Sequence, residues 1–181
     1  MTLTIEYVRR LVDYNPETGE FRWRPREVRS HYDRIWNTQN AGNIAGCNAH
    51  HGYRAITLYG KRYYAHRLAY FYMTGEMPRN IDHKNLDTTD NRFANLRPAT
   101  ATQNHANKRK SPQNTSGVKG VSLHRATGKW QASLSVEKRR VWLGLHERLE
   151  DAVAAYNRGA VEHFGEYARL AEIPPEMRSS Q

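Results

Sequence analysis

The chain has 181 residues, with 28 Lys and Arg against 18 Asp and Glu, a formal charge of +10 and a sequence pI near 9.9. A mean hydropathy of −0.89 argues against one large core and for two or three small modules, and the basic balance suits a polyanionic partner. The lone Cys47 excludes an internal disulfide framework and a zinc knuckle of several thiolates, and no run of about 18 apolar residues is present to cross a membrane. The opening MTLTIEYVRRLVDYN lacks the apolar run and cleavage site of a signal peptide, so a cytoplasmic, membrane-free protein is expected.

Thr4 with Leu3, Tyr7, Val8, Leu11 and Val12 at helical spacing suggests a short amphipathic helix; NPETGE then supplies a turn before the strand-like FRWR. From Asn43 to Tyr64 the pattern is short strands punctuated by Gly46, Gly52 and Gly60, with a hairpin reversing at Tyr59–Gly60. A helix is expected over His66 to Thr74, broken by Pro78 and Asn80. The aromatic cluster Tyr63, Tyr64, Tyr70, Phe71 and Tyr72 reads mainly as core. A strand around Ile81 to His83, a turn-rich loop KNLDTTDN, a second strand from Asn95 to Thr100 and a helix from Ala101 to Lys108 follow. KRKSPQNTS, 108–116, has the composition of a linker. Beyond it VKGVSLH, KWQASLSV and RRVWLG alternate like three antiparallel strands. LEDAVAAYNRGAVEHFG then places Ala152, Val153, Tyr156, Ala160, Val161 and Phe164 on one helical face, and 173–181 reads as a mobile tail.

Asp82 and His83 are adjacent, with Asn95 and Asn104 downstream, a set suited to metal-assisted phosphodiester hydrolysis. A hard cation takes oxygen ligands and few protein groups, which Asp82 and Asn104 can supply. His83, near neutral at physiological pH, is the candidate base, with Asn95 as the group that orients its ring. Strand neighbours point to opposite faces, so Asp82 and His83 are expected at a strand end or a bulge. Asp87 and Asp90 are rival ligands that turn and cap duty explains better. Mg²⁺ is expected, with Mn²⁺ as the alternative; zinc is disfavoured because Asn104 offers oxygen.

HRLAY, IDHKNLDTTDNRFANLRPAT and the following QN resemble the HNH endonuclease family, in particular the phage- and intron-encoded homing branch, over roughly residues 60 to 108. The resemblance implies a ββα-metal fold with His83 as base, Asn95 as its orienter, Asp82 and Asn104 as ligands, and Asn91 and His66 in structural roles. Residues 116 to 170, with Gly120–Val121, GKW at 128–130, VWLG at 141–144 and AAYN in the helix, resemble the APETALA/ethylene-response-factor DNA-binding domain. That family implies a three-stranded sheet in the major groove with the helix behind it. DNA contacts are expected from Lys119, Ser122, His124, Arg125, Lys129, Ser133, Ser135, Arg139, Arg140 and Trp142, and from Lys108, Arg109 and Lys110 of the linker, while Trp130 reads as core.

The expected fold is α+β: a nuclease domain over 1–107 with a β-rich scaffold at 1–79 and its ββα-metal core at about 80–107, a linker at 108–116, and a sheet-and-helix domain over 117–172. The expected function is a site-selective DNA endonuclease that nicks, leaving 3′-OH and 5′-phosphate. Its partner would be double-stranded DNA and its state a monomer or weak dimer in a phage host's cytoplasm. The alternatives are a non-cleaving DNA-binding regulator on the same scaffold and a protein acting on RNA.

Overall fold

The computed structural model describes residues 3–177, so the end of the expected tail, 178–181, lies outside the described residues. Two compact units divide at Ala99/Thr100. Among the described residues no helix is long and apolar enough to cross a membrane.

The first unit opens with α1 (Ile5–Leu11), capped by the Thr4 hydroxyl accepting from the Tyr7 N–H at 3.2 Å. The helix stops one residue earlier than its periodicity suggests, because Val12 is taken into β1 (Val12–Tyr14), which pairs antiparallel with β2 (Phe21–Trp23). A helix that the residue pattern does not announce, α2 (His31–Asn40), follows; it buries none of its residues. It is fastened instead through Trp36, which meets Trp23 edge-on at 5.7 Å and carries the Arg26 guanidinium 3.6 Å from its ring centroid. Asn37 adds two hydrogen bonds to the Arg26 backbone, both 2.8 Å.

A three-stranded sheet, β3 (Cys47–Asn48), β4 (Arg54–Leu58) and β5 (Lys61–Tyr64), leads into α3 (Ala65–Thr74). Tyr59 and Gly60, both at positive φ, turn the β4–β5 hairpin where the sequence places it, and Gly75 at φ 78° ends α3. Finally β6 (Ile81–His83) and β7 (Leu96–Pro98) form an antiparallel ladder. The core joins Val8, Val12, Phe21, Ile56, Leu68, Ile81 and Leu96, so the β6–β7 ladder is anchored at Ile81 and Leu96 to the same apolar centre as α1 and α3.

The second unit begins with α4 (Ala101–Asn107), whose Thr100 and Gln103 make a reciprocal capping box. The expected boundary at 107 is therefore corrected: Ala106 joins the second core, and α4 packs on α5. Residues 108–116 contain no helix or strand. Strands β8 (Val121–His124), β9 (Lys129–Val136) and β10 (Arg139–His146) form an antiparallel meander in the order β10-β9-β8, covered on one face by α5 (Leu149–Phe164). Tyr156 of α5 lies so close to Gly120, itself at φ 70°, that an added Cβ would sit 2.0 Å from its ring; only glycine fits there. Val161, expected on the inner face of α5, is exposed, and Gly159 is buried there against Leu143 and Leu134.

Candidate functional site

In the β6–β7 ladder Asp82 stands opposite Arg97 and His83 opposite Leu96, with no bulge. His83 is the last residue of its strand, which meets the geometric requirement on the Asp–His pair. Asp82 is 5% exposed and its Oδ2 accepts from Arg97 Nε at 3.0 Å and Nη2 at 2.9 Å. A buried carboxylate needs such a partner, because desolvation costs several kcal/mol per ion when it is unmatched. Arg97 thereby fixes the carboxylate through one oxygen. Arg97 is not among the residues the motif singles out; its signal in the sequence is an arginine at the centre of a strand expected to pair with Ile81–His83.

His83 is 5% exposed, and its Nε2 lies 3.3 Å from Asn91 Oδ1. The Asn91 amide is oriented by its Nδ2, which donates to the Thr89 carbonyl at 3.2 Å. Its oxygen must then accept from His83, which puts the proton on Nε2 and makes Nδ1 the basic atom of the neutral ring. This corrects the assignment of Asn95. Its Oδ1 accepts from the Asn85 N–H at 3.0 Å, and its Nδ2 donates to Asn85 Oδ1 at 3.0 Å and to the Asp90 carbonyl at 2.8 Å. Asn95 thus closes the loop between β6 and β7, while Asn91 of that loop reaches the ring.

Asp87 and Asp90 serve the same loop. Asp87 Oδ1 accepts from Thr89, and Asp90 pairs with Arg92 at 2.6 Å; the bond from Arg92 is the chief reason its carboxyl is lowered to about 2. The β1–β2 unit clamps Asn91 from behind. Tyr14 Oη donates to the Asn91 carbonyl at 2.7 Å, the Phe93 N–H donates to the Pro16 carbonyl at 3.0 Å, and Gly19 at φ 74° leaves only 2.5 Å between a would-be Cβ and the backbone of Asn91 and Arg92. The N-terminal scaffold thereby sets the position of the residue that holds the base.

Around His83 the walls are aromatic: His66 meets it edge-on at 5.1 Å, and Tyr53 lies 5.9 Å away, with Tyr64 stacked on His66 at 5.7 Å. Burial lowers the pKa of His83, against a hydrogen bond with Asn91 and the charges of Asp82, Asp90 and Asp87, which raise it. The ring is thus held neutral. His66 is 8% exposed, its Nδ1 has no hydrogen-bond partner among the described residues, and burial followed by the neighbouring His83 takes its pKa down to about 3. Because its folded pKa lies below the unfolded value near 6.5, the stability His66 contributes is complete above pH 6.5 and is lost progressively as pH falls toward 3. Between pH 7 and pH 5 the wild type should lose about 2 kcal/mol more than His66→Phe, measured by denaturant unfolding at both pH values. Equal losses would show that His66 is not kept neutral by the fold.

In the second unit, strand alternation places Ser122, His124, Lys129, Ser133, Ser135, Arg140 and Trp142 on the sheet face opposite α5. They lie in register as Ser122 beside Gln131, His124 beside Lys129, Ser133 beside Trp142 and Ser135 beside Arg140. The other face sends Val121, Ala132, Leu134 and Val141 into the core with Trp130, while Trp142 is 54% exposed. Arg125 stands in the β8–β9 turn and Arg139 at the β9–β10 turn, both exposed and off that row. Lys129 pairs with Glu147 at 2.6 Å. Lys119 corrects the expectation of a DNA-facing side chain: its Nζ turns inward to donate to the carbonyls of Ala106 at 2.5 Å and Lys108 at 2.8 Å.

Among the described residues no cluster of three or more His, Cys, Asp or Glu is placed to hold a metal ion. The donor present at the ladder is one carboxylate, Asp82, held in place by Arg97; a carboxylate oxygen is the kind of ligand a hard, largely hydrated divalent cation takes. Asn104, the expected second ligand, lies on α4 of the second unit, partly exposed.

Residues 63–106 match the family model described as HNH endonuclease. The match covers α3, the β6–β7 ladder with Asp82, His83, Asn91 and Asn95, and α4 with Asn104, and it supports nuclease action on DNA with a divalent cation. No curated protein and no solved structure matches the chain.

Proposed function

We propose that this protein is a metal-dependent DNA endonuclease of the HNH homing type, phage-encoded, that nicks duplex DNA to leave 3′-OH and 5′-phosphate ends. The observation that carries the reading is the buried His83, kept neutral and held through Nε2 by Asn91, beside an Asp82 fixed by Arg97 in the segment similar to HNH endonucleases. His83 Nδ1 takes the proton from a water that attacks phosphorus, and Asn91 keeps the ring in the tautomer that leaves Nδ1 basic. Tyr53 and His66 pack against the ring and limit its access to bulk water. A divalent cation, Mg²⁺ or Mn²⁺, held by Asp82 and Asn104, would supply positive charge to the phosphate and the departing 3′ oxygen. Asn104 enters on its spacing in the sequence.

The solvent face of the second unit's sheet, resembling APETALA-type domains, would position the duplex through Ser122, His124, Lys129, Ser133, Ser135, Arg140 and Trp142. One catalytic centre per chain accounts for nicking. One observation favours a second reading, a DNA-binding regulator without turnover: the Asp82 carboxylate already has a cationic partner in Arg97. Asp82→Asn separates the two. An endonuclease loses cleavage at least 100-fold, and added Mn²⁺ recovers part of it; a preparation whose wild type cleaves equally well in chelator refutes the metal role of Asp82.

A further inference from the structure

Beside the open edge of β9, where β8 stops short, the second unit holds a hollow of about 700 Å³. Its charged lining is entirely basic: Lys108, Arg109, Lys110, Lys119, Lys138 and Arg140, with no acidic residue. Ser111, Ser133 and Ser135 add hydroxyl donors. Among the described residues none of Lys108, Arg109, Lys110, Lys138 or Arg140 has a carboxylate partner, although Lys129 and Arg148 of the same unit do. A comparison within the chain shows that such a lining is not a by-product of basic composition. The first unit's own hollow contains Arg10, Arg24, Arg26 and Arg29, but Asp13, Glu27 and Asp33 line it too, and Arg24 and Arg29 are paired with Asp13 and Glu27.

Two further features favour an anion in the second hollow. The C-terminal end of a helix normally repels negative charge through its unpaired carbonyls. Here the α4 end borders the hollow, and the Lys119 ammonium covers the Ala106 and Lys108 carbonyls, which reverses that field. Burial, with the nearby Arg169 charge, brings the Lys119 pKa down to about 8. The β9–β10 turn is also held against its local preference. Glu137 and Lys138 sit at φ 49° and 68°, the two positions where such turns favour Asn-Gly. That turn puts Lys138 on the wall of the hollow.

We propose that this hollow grips the sugar-phosphate backbone of duplex DNA, independently of base sequence, as a clamp contiguous with the sheet face. Ser133, Ser135 and Arg140 belong to both surfaces, so a duplex lying on the sheet brings its phosphates to the hollow. The inference rests on the reading of the sheet face as the DNA surface. Unpaired cations release counterions when they meet phosphates, and each such contact steepens the dependence of log K on log salt by about 0.9.

The test measures binding of the full-length protein, in chelator, to two unrelated 30-base-pair duplexes across a salt series. Lys108→Gln/Arg109→Gln/Lys138→Gln is compared with Lys61→Gln/Arg62→Gln/Arg79→Gln, which removes the same charge from the first unit. The hollow variant should flatten the salt slope by about 2–3 on both duplexes equally, against less than about 1 for the control. A wild type that binds duplex while the hollow variant keeps its slope, or matches the control, overturns the clamp and leaves the sheet-face reading standing. Loss of discrimination between the duplexes would assign base readout and overturn it, as would weakening toward single-stranded RNA alone. A wild type that binds neither duplex removes the sheet-face reading and the clamp with it. Matched unfolding midpoints for both variants confirm that each remains folded.

Discussion

His83→Ala should reduce DNA cleavage by about 10²–10⁴-fold while duplex affinity in chelator stays within twofold of wild type, because the ring supplies a proton acceptor and takes no part in holding DNA. The burial favours this separation: at 5% exposure the side chain offers little surface for DNA to contact directly. Asn91→Ala should follow His83→Ala in kind but less in degree, since the unheld ring still reaches the basic tautomer for part of the time. Single-turnover cleavage and binding assays on the same preparations measure both. Cleavage by His83→Ala within threefold of wild type would reject the base, and an equal fall in binding would assign His83 to the DNA surface.

The second large effect concerns stability. Replacing Arg97 by Met should cost about 3–5 kcal/mol, because it strands a buried carboxylate that accepts two bonds from the guanidinium. That is a large share of the roughly 5–15 kcal/mol available to a typical domain. Arg97→Met combined with Asp82→Leu should regain most of it, as an apolar pair removes the uncompensated charge along with the interaction. Urea unfolding of the two single variants and the double variant reads the effect. A cost below about 1 kcal/mol for Arg97→Met would mean that solvent or another group already screens Asp82.

Local signals carry the elements whose chemistry is local. The Tyr59–Gly60 turn, the end of α3 at Thr74, the start of α4 at Ala101 and the alternating strands of the second unit all lie where residue preference and period place them. The α2 helix is silent in the sequence, because HYDRIWNTQN has no apolar stripe; it is held by a Trp–Trp contact and an arginine over an indole ring, both made across loops. At the site, spacing along the chain locates the right segment and places Asp82 and His83 together, but it cannot say which amide turns toward the ring. Asn91 and Asn95 are four residues apart on one loop, and their roles are divided by the fold: one amide closes the loop on Asn85, the other reaches His83. Lys119 departs from expectation for a related reason. In sequence it is one more cation on a basic strand segment, and only the position of the α4 carbonyls shows why its ammonium turns inward.

Metal-dependent nicking is tested most directly by incubating purified protein with supercoiled plasmid, with Mg²⁺ and with chelator, and mapping the ends. Open circles bearing 3′-OH and 5′-phosphate are expected in Mg²⁺, and intact supercoils in chelator. Plasmid bound but uncut under every divalent cation tried, or cut equally in chelator, would contradict it.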